Sequence, residues 1–524
     1  HLRGMGGTLP KAVEAAVVER QEAQGFRVGL AELNGWRTNM EDAHLVFIRE
    51  DWAFFGVFDG HGGEACSAFV AKRLAEELEK RGRPEDDAAV KKLVLDVDQE
   101  FLDSEQPSGS TATMCIVQKP SGGAGKYVLR VANAGDSRIL LGRRDGTIVD
   151  GGGTDQGLTV DHKPDHPSER ERIYRCGGKV EDAGGVARVN GDLAVSRGFG
   201  DRSHKQTGGP GPEDRPVTAD PEFGRFECDE ADFLMLVCDG VSEGNFPNPE
   251  VVEFAASELK KSGDDLGAAA RAVCHKAVER DSKDNISCMI VLLNGSPDTA
   301  SSKSVEFIPG AIDHLGHKGF RKAYEAMADR AGLSLAKAVE QRCKFVQAEL
   351  LTNPTTALRE EAAKIGTPSG EEGSAERAKW AEDWLKNLPQ EEDSGLPGGM
   401  DMNSLLEAKG GGKGKGGGKG GGKAAPAPEP EEKEVERDEE GYTWSQKGEE
   451  VQILFKLSKA ASKKDVKVNF KPSSVTVTVH GSSLLEGQLG GKVDIDDCTW
   501  CLASAGSELQ VMLTKKDEKD NWAS

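Results

Sequence analysis

The chain has 524 residues, with 89 acidic side chains against 67 lysines and arginines and a formal net charge of −22. Such acidity repels a phosphate backbone and argues against nucleic acid as a partner, and no run of about 18 apolar residues is present to cross a bilayer as a helix. Hydrophobic residues make up 37% and glycine 65 positions, so folded parts are expected to alternate with solvated ones over several domains.

The opening residues lack the apolar core of a signal peptide. Met5-Gly6-Gly7 would expose Gly6 if Met5 starts translation, but Pro10 stands where the myristoylation pattern wants Ser or Thr. Ten cysteines scattered through an acidic chain read as reduced thiols, which places the protein in cytoplasm and/or nucleus. Cys498 and Cys501 form one CxxC with no second pair to complete a zinc site, and they read as packing residues.

Residues 20–296 keep one texture. Ala53-Phe54-Phe55-Gly56-Val57-Phe58 predicts a buried strand that ends at Asp59-Gly60, and a helix follows over 64–80. Thr113-Met114-Cys115-Ile116-Val117 and the run from Tyr127 to Ala132 read as paired strands. Phe233-Leu234-Met235-Leu236-Val237 is a further buried strand, again followed by Asp-Gly at Asp239-Gly240. An apolar run over 286–293 closes the region.

Over 311–390 the spacing becomes helical, with Phe320, Ala323, Tyr324 and Met327, then Leu335, Val339, Cys343 and Val346 on either side of Gly332 and Ser334. A shorter helix is expected over 376–388, with Trp380 and Trp384 on one face. Residues 391–440 contain a glycine-lysine tract followed by Pro426, Pro428, Pro430 and an acidic run, the composition of a linker. From 441 to 524 the pattern alternates with period two, as in Val451, Ile453, Phe455 and in Val475, Val477, Val479. That predicts a small antiparallel β-sandwich.

Acidic residues collect where the first domain's strands end. Glu41 and Asp42 follow Arg37, and Asp59, Asp239 and Asp284 each lie beside a buried apolar run. One aspartate after a strand is ordinarily a turn former. Several together point to oxygen ligands for hard divalent ions, Mg²⁺ or Mn²⁺. Two such ions side by side can clamp an in-line displacement at phosphorus.

Six ordered blocks carry a resemblance: Arg37-Thr38-Asn39-Met40-Glu41-Asp42, Phe58-Asp59-Gly60-His61-Gly62-Gly63, Asn133-Ala134-Gly135-Asp136-Ser137-Arg138, the run from Leu193 to Asp201, Cys238-Asp239-Gly240-Val241 and Asp284-Asn285-Ile286-Ser287. Together they resemble the metal-dependent protein serine/threonine phosphatases of the 2C type. The resemblance implies an α/β fold, a two-sheet antiparallel β-sandwich flanked by helices, that hydrolyses phosphoserine and phosphothreonine on proteins with a metal-activated water at a binuclear centre. By position, Asp59 would bridge two ions. Asp239 and Asp284 would hold one of them, Glu41 and the Gly60 carbonyl the other, and Asp42 a water beside them. Arg37 would grip the substrate phosphate and His61 would protonate the departing oxygen.

Asp136 would contribute to a weaker third ion, with Glu243 where the family commonly has Asp. Arg138 and Arg197 read as carboxylate partners that hold structure. Arg170, Arg172, Arg175 and Arg188 lie in the segment that matches the family's variable flap, as phosphopeptide contacts or as ordinary surface charge. The C-terminal region resembles a CS domain, the all-β sandwich of NudC-type proteins and co-chaperones, through Tyr442-Thr443-Trp444, Gly487-x-Leu489, Trp500 and Trp522. It implies a chaperone or client partner beside the phosphoprotein substrates. The alternative is a pseudophosphatase or chaperone-adaptor scaffold that binds phosphoproteins without turnover.

Overall fold

The strands Val13–Ala23 and Phe26–Gly35 are joined through Gln24 and Gly25, both at positive φ (47° and 77°), the turn geometry that matches strand twist. The computed structural model describes residues 9–120, 125–183, 185–209, 211–242, 245–295 and 301–391, and in the C-terminal region 435–439, 442–447, 450–457, 459, 461, 463–471, 473–489, 492–493, 498–503 and 508–516. This hairpin is part of a six-stranded antiparallel sheet in the order Ser302–Ile308, Val13–Ala23, Phe26–Gly35, Ile286–Leu292, Phe233–Val237, Arg138–Gly142. The sheet thus reaches past both ends of the 20–296 region.

A five-stranded antiparallel sheet runs Glu222–Cys228, Tyr127–Ala134, Ala112–Gln118, Trp52–Phe58, Ala43–Ile48. Alternation along each strand sends side chains to opposite faces and sorts them into separate cores. Phe26, Val28, Leu30, Phe55, Val57, Val131 and Met289 share the core between the sheets. On the outer face of the first sheet, Ala31, Leu33 and Ile290 pack with apolar residues of the helices Asn248–Lys261 and Leu266–Glu279. On the outer face of the second, Phe54, Phe58, Met114 and Ile116 pack under the helices Ala65–Arg81 and Asp87–Asp103. The α/β sandwich is therefore built as the motifs imply.

Four helices follow, Lys318–Arg330, Leu335–Thr352, Thr356–Ile365 and Ala375–Asn387. Each has a side-chain N-cap, from His317, Ser334, Thr355 and Ser374 in turn. Their apolar faces share a core with Val13, Ala15, Val17, Met40 and Phe307 of the sandwich. The helical segment belongs to the same compact unit, which spans 1–405.

The second unit, 406–524, has its own core. A five-stranded sheet, ordered Val435–Glu439, Tyr442–Lys447, Glu450–Lys456, Glu508–Thr514, Thr499–Ala503, accompanies a three-stranded one, Val466–Lys471, Ser474–Val479, Ser482–Gln488. Val451, Ile453, Phe455, Val475, Val477, Leu509 and Val511 fill the interior, with Trp444 and Trp500 packed against it. Trp522, like residues 1–8 and most of 391–440, lies outside the described residues. Among the described residues the cysteines form no disulfide, and no helix is long and apolar enough to cross a membrane.

Candidate functional site

Asp59 leaves the end of the buried Trp52–Phe58 strand, and its backbone is pinned on both sides. Its N–H donates to Thr111 Oγ1 (3.3 Å), while its carbonyl accepts from the Thr111 N–H (2.9 Å) and Ser110 Oγ (3.2 Å). Gly60 lies against the Glu41 carbonyl so closely that a Cβ would fall 2.2 Å from that oxygen, which only glycine tolerates. Glu41 is fixed in turn: its N–H donates to Asn285 Oδ1 (3.0 Å) and its carbonyl accepts from Ser67 Oγ (2.5 Å).

Asn285 ties a third segment in, donating from Nδ2 to the carbonyls of Asn34 (2.8 Å) and Asn39 (3.0 Å). Its neighbour Asp284 accepts from Arg37 Nη2 at 2.5 Å. Asp239 follows the Phe233–Val237 strand, and Gly240 beside it touches the Asn285 carbonyl with no room for a side chain. Asp42 is buried and accepts from Ser287 Oγ at 2.7 Å. Arg37, Glu41, Asp42, Asp59, Gly60, Asp239 and Asp284 therefore converge from both sheets, although they span the whole domain in sequence.

The electrostatics reflect that gathering. Burial pushes the Asp59 carboxyl well above its ordinary range, and the charges of Asp42, Asp239, Asp284 and Asp136 push it further. Burial likewise raises Asp42 to about 7, with Asp284 and Glu32 adding to it against the Ser287 hydrogen bond. Carboxylates that crowd one another in this way are what a hard divalent cation would relieve, and all the donors are oxygens. The residues present fit such an ion. Among the described residues no three His, Cys, Asp or Glu side chains already close on a common point, and Glu243 lies outside them.

His61 Nε2 lies 2.8 and 2.9 Å from the carboxylate oxygens of Asp201, a residue to which the motifs assign no role. Burial alone would lower the imidazole's pKa, but the Asp201 charge and hydrogen bond prevail and hold it above its usual value. Asp136 is buried and ion-paired with Lys163, so a third ion there would compete with an ammonium. Arg138 pairs with Asp161 (2.8 Å) and Arg197 with Glu169 (2.7 Å), the structural role their positions suggest.

The flap arginines divide. Arg172 is buried on Glu169 at 2.7 Å and is not surface charge. Arg175 pairs with Asp214, Arg188 donates to the Asp192 carbonyl, and Arg170 lies over the Tyr174 ring.

The protein phosphatase 2C family profile matches residues 26–286 and the CS domain profile residues 440–515. Protein phosphatase 1B of Bos taurus is 32% identical over 360 residues, covering 62% of this chain and 69% of that protein. Protein phosphatase 1A of Homo sapiens is 32% identical over 316 residues, covering 56% of this chain and 77% of that protein. A crystal structure of a phosphatase from a pathogenic strain of Toxoplasma gondii superposes with a TM-score of 0.50 at 30% identity, over 56% of this chain and 99% of that one.

Proposed function

We infer the reaction from the family: this chain belongs to the protein phosphatase 2C family, is a protein serine/threonine phosphatase, and carries a CS domain. We propose that the carboxylate site holds two divalent ions, Mg²⁺ or Mn²⁺, and hydrolyses phosphoserine and phosphothreonine there. The observation that carries this reading is Asp59, half-buried at a strand end under the charges of four other carboxylates. Bound ions would lower the pKa of water and neutralise charge on the phosphoryl oxygens.

In this reading Asp59 would serve both ions, Asp239 and Asp284 would help hold one, and Glu41 with the Gly60 carbonyl would help hold the other. Asp42 orients water beside them. Arg37 exchanges its bond to Asp284 for a forked contact to the substrate phosphate, a geometry suited to guanidinium. Asp201 keeps His61 protonated and aimed, so that the imidazolium gives its proton to the Ser or Thr oxygen as the P–O bond breaks. Asp136, with Glu243 four positions after Asp239, would serve a weaker third ion in competition with Lys163. The CS domain recruits protein partners, a chaperone or a client. The eight buried cysteines described in the first unit, none of which forms a disulfide, support a reducing compartment, cytoplasm and/or nucleus.

Turnover of a phosphoserine or phosphothreonine peptide by the purified full chain with Mn²⁺, with and without chelator, tests the reading. Activity abolished by chelator is expected. Phosphopeptide binding without turnover would make the protein a pseudophosphatase scaffold.

A further inference from the structure

Arg330 is the last residue of the Lys318–Arg330 helix, outside every motif that marks the site. Its guanidinium crosses from the helical segment into the sandwich and engages three oxygens. Nη1 donates to Glu32 Oε2 at 2.8 Å, and Nη2 donates to the carbonyls of Asp42 (2.7 Å) and Met40 (3.3 Å). Those two carbonyls flank Glu41, whose N–H and C=O are already taken by Asn285 and Ser67. Arg330 therefore secures the remaining carbonyls on either side of a proposed metal ligand.

The anchor behind it is built of charge. Glu32 is buried and shares its other oxygen with His44 Nδ1 at 2.9 Å. His44 Nε2 reaches Glu19 at 3.4 Å, and Glu19 pairs with Lys303 at 2.7 Å on the edge strand Ser302–Ile308. The Met40 side chain, meanwhile, is buried in the apolar core of the helical segment. A lysine at 330 would bring one ammonium on a flexible stem and would lack the fork that spans a carboxylate and two carbonyls.

We propose that Arg330 is a positioning residue for the metal site: it clamps the Met40–Asp42 backbone so that Glu41 and Asp42 are pre-set to receive divalent ions. The helical segment thereby becomes part of the metal-binding apparatus. This inference rests on the proposed metal centre. Ligands that repel one another must be held before the cation arrives, and outer contacts of this kind typically change metal affinity by about 10–100-fold.

Calorimetric titration of Mn²⁺ into the full chain and into Arg330→Met and Arg330→Lys, with circular dichroism to verify folding, tests the clamp. Arg330→Met is expected to weaken Mn²⁺ binding by about tenfold or more, and Arg330→Lys by about threefold or more. At saturating Mn²⁺, kcat should return to within about threefold of wild type and the phosphopeptide KM to within about twofold, because the reacting groups are untouched. Lys322→Ala removes the same helix's exposed bond to Asn39 Oδ1 and should leave the Mn²⁺ Kd within about twofold of wild type.

An unchanged Kd in folded Arg330→Met, or a loss just as large in Lys322→Ala, overturns the clamp. Should Arg330→Met fail to fold, Arg330→Lys decides by the same criterion. A wild-type chain that binds no Mn²⁺ refutes the metal centre itself. Wild-type binding that the Arg330 variants leave unchanged refutes only the role of Arg330.

Discussion

Asp59 and Asp239 are half-buried acids at strand ends, the charge of Asp239 acts on Asp59 along with those of other acids, and the metal-free fold bears their repulsion. Replacing either with Asn removes one negative charge from the cluster and one ligand from the proposed site. Phosphopeptide turnover should be lost while the fold persists, and metal-free stability should stay level or rise by about 0.5–2 kcal/mol. Thermal melts in chelator and turnover assays with Mn²⁺ check both halves; near-wild-type turnover in either variant refutes the site. Arg37 is half exposed and bonded to Asp284, so its loss should leave folding almost untouched. Arg37→Ala is expected to raise KM for phosphopeptides more than it lowers kcat, by roughly 1.5–3 kcal/mol for a charge-assisted contact to ground-state phosphate. Steady-state kinetics decide it, and an unchanged KM would mean that the phosphate binds elsewhere.

At the scale of elements, the helix Pro167–Arg175 is tied to the sandwich through Glu169, which accepts from Arg172 (2.7 Å), Arg197 (2.7 Å) and Ser196 (2.6 Å). Burial alone would raise its pKa, but the Arg197 hydrogen bond and the charges of Arg172 and Arg197 hold it at about 2, below its ordinary 4.5. The native state thus binds this proton less readily than the unfolded chain. Its stabilisation is complete above about pH 4.5 and is lost as pH falls towards about 2, roughly 3 kcal/mol in all. Urea unfolding of wild type and Glu169→Gln should therefore differ by roughly 3–5 kcal/mol near neutral pH, with the gap narrowing below about pH 4. A gap that ignores pH would show that the carboxylate's charge is not what holds this helix. The same elements show what was legible in the sequence. Asp59, Asp239 and Asp284 each end or precede an apolar run that announces itself locally, and the helices on either side of Gly332 follow their spacing. Ser302–Ile308 did not stand out, because an edge strand exposes all but Phe307 and Ile308 and lacks alternation. Thr356–Ile365 buries only Glu361 and Ile365, too little for a periodic signal. The role of Asp201, which closes one of the six blocks, and that of Arg330, which lies in none, were illegible for another reason: their partners lie 140 and 288 positions away, and only packing brings them together.

For the whole molecule, each of the two units closes a core of its own, one across both sheets of the sandwich and its helices, the other around Phe455 and Val477. On composition alone the glycine-lysine tract over 409–423 reads as a tether; it lies outside the described residues. Such a sequence offers little apolar surface to offset the ordering of its backbone, so it is poor material for transmitting strain to a metal site. A tethered CS domain would instead act by holding its partner at high effective concentration near the phosphatase unit. Deleting residues 409–524 should then leave kcat and KM on a short phosphopeptide close to the full-length values. Dephosphorylation of a protein substrate that binds the CS domain should fall, because the second contact no longer retains it. A several-fold change in short-peptide kcat on deletion would replace the tether with an autoregulatory contact. The acidic run over 431–440 supplies the charge for one, and a salt titration would expose it, since an electrostatic contact weakens as ionic strength rises whereas a passive tether does not respond.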